Sequence, residues 1–220
     1  MLTAKEDRRA LILLVSLLFF LVISPFVTED HKGEIVFILA LYWTFVAATM
    51  QLARKKSLLW LSLILAVSSL LVFLVTIYHP IRTLLITHWT LMAAFLGCVS
   101  AVFFAQLGQP GKITTGHLYL SVSVYFLLGI FYFAMFNLLD SIRPGSLVEA
   151  GSPAGPGVTR YAHLYFSLVT LTTLGYGDIV PVTRPARMLA VLEAATGVLY
   201  IAITVARLVA AYQTARSDSD

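Results

Sequence analysis

The sequence predicts an all-α membrane protein of six transmembrane helices, with a shorter re-entrant helix and an irregular loop between the fifth and sixth. Three observations predict it. Of 220 residues, 59% are hydrophobic and only 12% are charged, which excludes an ordinary soluble domain wrapped around a buried core. The apolar residues fall in runs that reach the roughly 20 needed to cross a bilayer. Short polar or Gly/Pro clusters separate the runs, and one apolar segment near the end is too short to span.

The first span covers 9–27 and stops near Pro25. Its basic start at Lys5, Arg8 and Arg9 resembles a signal peptide, but the apolar part exceeds the ~7–15 residues of such a segment and no small-x-small cleavage site follows. After a polar turn at 28–33, the second span covers 34–53. Arg54-Lys55-Lys56 separates it from the third, at 58–78. His79-Pro80 breaks the chain, and the fourth span covers 82–107. Gly108-Gln109-Pro110-Gly111-Lys112 is a cluster of breakers. The fifth span covers 114–139. The loop 140–159, rich in Gly and Pro, is expected to be irregular, and 161–171 is the re-entrant helix. The sixth span covers 185–212, with Pro185 suited to a helix start. A boundary falls at 108–112, so 1–111 form a four-helix module, 112–212 a second unit, and 213–220 a short disordered tail.

The net charge of +4 does not point to nucleic acid, because the basic residues flank apolar runs. Lys5, Arg8, Arg9, Arg54, Lys55, Lys56, Lys112 and Arg216 all fall on one side, which the positive-inside rule makes cytoplasmic. Glu29, Asp30, Glu34 and the His79-Pro80 turn fall on the other, with Arg82 the main exception. Both termini are therefore expected in the cytoplasm, and the loop before the last span outside. The absence of long loops points to the inner (plasma) membrane of a prokaryote. Cys98 is the one cysteine and lies in an apolar run, so there is no disulfide framework.

The run Thr172-Thr173-Leu174-Gly175-Tyr176-Gly177-Asp178 follows the short helix. It resembles the selectivity filter of tetrameric pore-loop potassium channels, whose backbone carbonyls replace the hydration shell of the ion. The two glycines suit carbonyls that share one axis, since that needs backbone angles most residues avoid. The resemblance covers about 114–212. It implies that Thr173, Leu174, Gly175 and Tyr176 supply potassium-coordinating carbonyls, that Thr173 adds its hydroxyl, and that Gly177 and Asp178 form the outer mouth. Thr172, Asp178 and Glu193 are expected to support the filter. Potassium is the permeant ligand, and no other cofactor is implied. Irregular backbone at membrane depth must be buried in protein or line water, and the chain carries one such loop, so four copies in a closed ring, a homotetramer in the bilayer, are implied. The re-entrant helix becomes a pore helix whose negative dipole end favours a cation.

Val169 and Phe166 depart from family members that place an acid and a tryptophan there, bonded behind the filter to the closing aspartate. Tyr165 is the available replacement donor. Gly197 is either a gating hinge in the inner helix or a site of close packing on the pore helix. Ile201 and Val205 are placed to line the inner cavity. Glu193 is the one acid inside a span, where charge costs at least ~2.5–3.5 kcal/mol. It either braces the filter from behind or is a protonated or hydrogen-bonded packing residue. Arg207 is expected to snorkel to the cytoplasmic surface, and Arg187 to the outer one. His163 is expected to be solvated or to sense external pH.

Six spans with a pore loop resemble voltage-gated channels, whose fourth helix carries repeated arginines. Here Arg82 is the only arginine or lysine from position 58 to position 111, so strong voltage dependence is not expected. Trp43, Trp60 and Trp89 read as interfacial or lipid-facing. The tail is too short for a cytoplasmic ligand-sensing domain. Gly175-Tyr176-Gly177-Asp178 also matches the signature of intramembrane aspartyl proteases. These need a second aspartate in a neighbouring span, and none lies in the predicted spans; Thr172-Thr173 would have no role in one. A non-conducting membrane scaffold is the remaining alternative.

Overall fold

The computed structural model describes residues 4–27, 31–52, 56–108, 114–151 and 158–217. Seven helices and two short strands follow one another: α1 (Ala4–Ile23), α2 (His31–Gln51), α3 (Lys56–Tyr78), α4 (Arg82–Leu107), α5 (Thr115–Ile142), β1 (Leu147–Glu149), α6 (Arg160–Leu171), β2 (Ile179–Pro181) and α7 (Arg184–Ser217). All but α6 are long and apolar enough to cross a membrane. The protein is thus an all-α membrane protein with six candidate spans and a twelve-residue helix before the last.

Helix ends follow local chemistry. Pro25 lacks an N–H and closes α1 in a 3-10 turn, Ser24–Phe26. Gly108 ends α4, its N–H reaching the carbonyls of Phe104 and Ala105 at 3.2 Å. Thr114 opens α5 with a capping box in which its backbone N–H donates to His117 Nδ1 at 3.1 Å. Thr159 opens α6, its hydroxyl accepting from Ala162 N–H at 3.2 Å. Arg82, the exception among the outer turns, donates from Nε to Ser141 O (2.8 Å) and from Nη2 to Ile142 O. A cation thereby satisfies carbonyls left free at the C-terminus of α5.

Helix α5 is the hub, packing against α1, α4, α6 and α7. One core runs through both halves of the chain. It joins Leu17 and Phe20 of α1, Phe45 of α2, Trp89 and Phe95 of α4, and Phe133 of α5. Lipid tails are as apolar as these side chains, so their association rests on close packing rather than escape from water. Trp43 and Trp60 are 63% and 62% exposed, but Trp89 is 2% exposed. The lipid-facing expectation therefore fails for Trp89, because α4 turns it onto α5, where its ring meets Phe133 edge-on at 5.5 Å.

Three further expectations are corrected. The loop after α5 is not wholly irregular: β1 pairs antiparallel with β2, Val148 opposite Val180. Here the segment after the 172–178 run finds backbone partners, and Ala150 N–H reaches Asp178 O at 2.7 Å. Helix α5 continues through Asp140, whose Oδ1 accepts from Ser146 N–H at 3.0 Å. Helix α7 runs on through position 217, since no breaker interrupts it; 218–220 lie outside the described residues.

Candidate functional site

Helix α6 ends at Leu171, and the chain turns back on it. The amide of Thr172 donates to Leu168 O, that of Thr173 to Thr170 O, and those of Leu174 and Gly175 both to Val169 O, at 2.9–3.4 Å. The first four amides of this loop are thus satisfied by carbonyls that a helix C-terminus leaves free. The acceptors are not. Among the described residues, no group donates to the carbonyls of Thr173, Leu174, Gly175, Tyr176 or Gly177. These five residues are exposed in the single chain, so their carbonyls are free to be taken up by a partner from outside it.

The backbone angles alternate. Thr173 (φ 58°), Gly175 (φ 55°) and Gly177 (φ 78°) are left-handed, while Leu174 and Tyr176 are not. For a β-branched residue such as Thr173, left-handed backbone costs about 1–3 kcal/mol and survives only where its surroundings impose it. An added Cβ at Gly175 or Gly177 would meet nothing within 4 Å. Glycine is therefore required there by conformation, not by space. The loop lies uncovered in the single chain, with Tyr176 67% exposed. Leu174 lines a cleft with Tyr165, Val169 and Thr172, beside α6.

Behind the loop, the replacement donor is in place. Tyr165 donates its hydroxyl to Asp178 Oδ2 at 2.7 Å, and Ile179 N–H donates to Asp178 Oδ1 at 3.1 Å. The bond to Asp178 pushes the Tyr165 phenol up to about 12. Phe166 instead turns away and packs edge-on against Phe136 at 5.0 Å. Thr172 returns its hydroxyl to Leu168 O at 2.8 Å.

Helix α7 is pressed against the same scaffold. A Cβ at Gly197 would lie 2.0 Å from Leu171 O, so this glycine permits backbone contact between α7 and α6. Glu193, one turn earlier, is fully buried and contacts Ser167 Oγ of α6 at 2.5 Å. Ser167 Oγ also reaches Gly129 O of α5 at 2.6 Å. Ile201 and Val205, at i+4 and i+8 from Gly197, are 50% and 53% exposed. Arg207 is exposed and lays its guanidinium over the Phe104 ring, 5.5 Å from the centroid. Arg187 donates to Pro181 O at 3.1 Å.

Sequence reasoning missed Arg160 and Ser167. Arg160 pairs with Glu34 of α2 and stacks over Trp89 of α4 and Phe73 of α3, 5.7 and 5.9 Å from their centroids. Its signal was a cation in the first turn of a helix, where the dipole disfavours one. Ser167, a lone hydroxyl in the apolar middle of α6, offered little. His163 is corrected: it is 2% exposed, and its Nδ1 donates to Thr159 O at 2.8 Å, so it is not solvated. The face of α6 that carries it turns inward.

Residues 113–214 match the family model described as "Ion channel". Among curated proteins, the chain is 30% identical over 95 residues to the inward rectifier potassium channel Kirbac3.1 of Paramagnetospirillum magnetotacticum, covering 43% of this chain and 27% of that protein. It is 32% identical over 75 residues to the two pore potassium channel c of Oryza sativa subsp. japonica, covering 34% and 14%. It is 40% identical over 57 residues to the human A-type voltage-gated potassium channel KCND3, covering 26% and 9%. The chain thus matches about a quarter or less of the length of these relatives. No solved structure matches it. The matched segment holds the loop and the helices around it, which sets the protease reading aside. Residues 113–214 are thus similar to the pore segment of ion channels, and the relatives that share this segment are potassium channels rather than enzymes.

Proposed function

We propose that this protein is a potassium-selective channel in which four copies bring their 173–177 loops around one axis. The observation that carries the reading is the row of unpartnered carbonyls from Thr173 to Gly177 on an alternating backbone. Such carbonyls, with the Thr173 hydroxyl, can take the place of water around a dehydrated potassium ion. The relatives' names supply the ion. The tetramer is supported by the exposure of the loop and of the apolar face of α7, including Val191 and Val198. A loop of this kind is tolerated at membrane depth only when covered by protein or lining water.

Thr172, Asp178 and Glu193 serve as supports behind the filter, and Gly197 holds the inner helix close to it. Ile201 and Val205 line the cavity below, where apolar rings can gate by dewetting. The first four helices act as a brace rather than a voltage sensor. Their one arginine among α3 and α4 caps α5, and His88 is buried and bonded to Ser69. The short loops favour the inner membrane of a prokaryote, and charge placement favours both termini in the cytoplasm.

The test is the reversal potential of purified protein in a planar bilayer with potassium on one side and sodium on the other. Reversal near the potassium equilibrium potential is expected. A non-selective reversal overturns the filter assignment. No current from an intact tetramer favours a scaffold.

A further inference from the structure

We propose that Glu193 carries a proton and acts as a neutral hydrogen-bond donor, tying the inner helix to the back of the pore helix so that the position of α7 sets that of the filter. The functional half of this inference rests on the channel reading; the location of the proton does not.

Counting protons leads to it. Ser167 Oγ stands 2.6 Å from Gly129 O and 2.5 Å from Glu193 Oε1, both hydrogen-bond lengths. A serine hydroxyl has one proton to give, a peptide carbonyl only accepts, and an ionised carboxylate only accepts. With Glu193 ionised, one proton would serve two contacts, and the other would set two oxygens against each other with nothing between them. With Glu193 protonated, its carboxyl donates to Ser167 Oγ and Ser167 donates to Gly129 O. Both contacts are then satisfied.

The surroundings agree. Glu193 is fully buried, and its second oxygen, Oε2, has no partner. An unpartnered oxygen of a neutral acid is far cheaper to bury than one bearing charge. Among the described residues, no lysine, arginine or histidine forms an ion pair with it.

The relay crosses three helices, from Glu193 on α7 through Ser167 on α6 to Gly129 on α5. Two more ties lie within one turn of Glu193. Tyr132 of α5 donates to Thr196 Oγ1 at 2.9 Å, because the Thr196 proton is committed to Leu192 O at 2.7 Å. Gly197 abuts Leu171 O, the carbonyl from which the loop begins. Displacement of the upper part of α7 therefore moves α6 with it. Glu193 is a positioning residue, acting on the filter through Ser167.

The test has a spectroscopic and a functional arm. In infrared spectra at neutral pH, wild-type protein minus Glu193→Gln should show the carbonyl stretch of a protonated carboxylic acid, shifted in D2O. Carboxylate bands alone would overturn the proposal. In liposome flux, Glu193→Leu and Ser167→Ala should each lower potassium flux about tenfold, and Glu193→Gln, which keeps a donor in place, should restore most of it. Glu193→Gln as damaging as Glu193→Leu would overturn the lock. If wild-type protein carries no potassium flux, the channel reading falls, and the infrared result alone decides the proton.

Discussion

The two halves of the chain use their polar groups differently. In α1–α4, serine and threonine hydroxyls mostly return to their own helix: Ser16 to Ile12 O, Ser62 to Leu59 O, Thr76 to Val72 O, Thr90 to Ile86 O. Within α1–α4, a hydroxyl cluster that crosses helices runs from Tyr42 to Ser69, 2.7 Å apart, and on to His88. In α5–α7 some hydroxyls do the same, as Ser123 does to Tyr119 O, but more polar groups reach across to another element. Tyr132 meets Thr196, Ser167 meets Gly129 and Glu193, Tyr165 meets Asp178, and Tyr200 donates to Ser121 O at 2.7 Å. A bond within a helix stabilises that helix wherever it lies, whereas a bond between helices fixes their separation. Bonds that fix helix separation are thus denser around the 172–178 loop than in the first half.

The largest expected effect comes from the loop. Gly175→Ala or Gly177→Ala places a Cβ where φ is 55° or 78°, a conformation that disfavours L-residues by about 1–2 kcal/mol each. In the proposed ring of four copies the cost multiplies, and the potassium preference of the reversal potential should be lost.

Glycine substitutions sharpen the contrast next. Gly197→Ala drives a methyl against the Leu171 carbonyl, which should cost about 1–3 kcal/mol in thermal stability. Gly97→Ala in α4 meets only the edge of the Phe131 ring, at 3.2 Å, and should cost less than about 1 kcal/mol. Equal losses would break the comparison.

Arg160 is where the halves exchange charge. Arg160→Leu leaves Glu34 without its partner. Both side chains are partly exposed, at 26% and 37%, so the loss should be about 1–2 kcal/mol rather than that of a fully buried pair. Adding Glu34→Leu should recover much of it, as a melting series of the single and double variants would show.

Tyr165→Phe removes the donor to Asp178. Sustained potassium current should decay faster, on the order of threefold, whereas Ser69→Ala in the first half leaves the decay unchanged. The Tyr165 phenol is held up at about 12 against an ordinary 10. Its contribution is complete below pH about 10 and is lost only as pH rises through about 12, so neutral pH brings no step from this pair. Voltage should have the least effect, since Arg82 is engaged by α5. Steep activation with several charges per subunit would contradict that.

Much of this was legible in the sequence. Spans, breakers and the filter run depend on local composition and periodicity, and the structure moves most helix ends by only a few residues. Tyr165 could be named as a donor because a phenol stands close in sequence to the aspartate it serves. Trp89 and His163 were misread because exposure depends on which face of α4 or α6 another helix covers. The strand pair was missed because three-residue strands carry almost no pattern.

By itself, the sequence determined that six helices are long and apolar enough to cross a membrane, where they begin and end, and that a Thr-Leu-Gly-Tyr-Gly loop lies before the last. Those follow from local propensity and hydropathy. Only the tertiary structure decided that Gly197 is a point of contact, that Glu193 meets Ser167 across α6, and that Arg160 is gripped by three helices of the other half. Each joins residues 26 to 126 positions apart, and no pattern along one helix encodes the rotation of another.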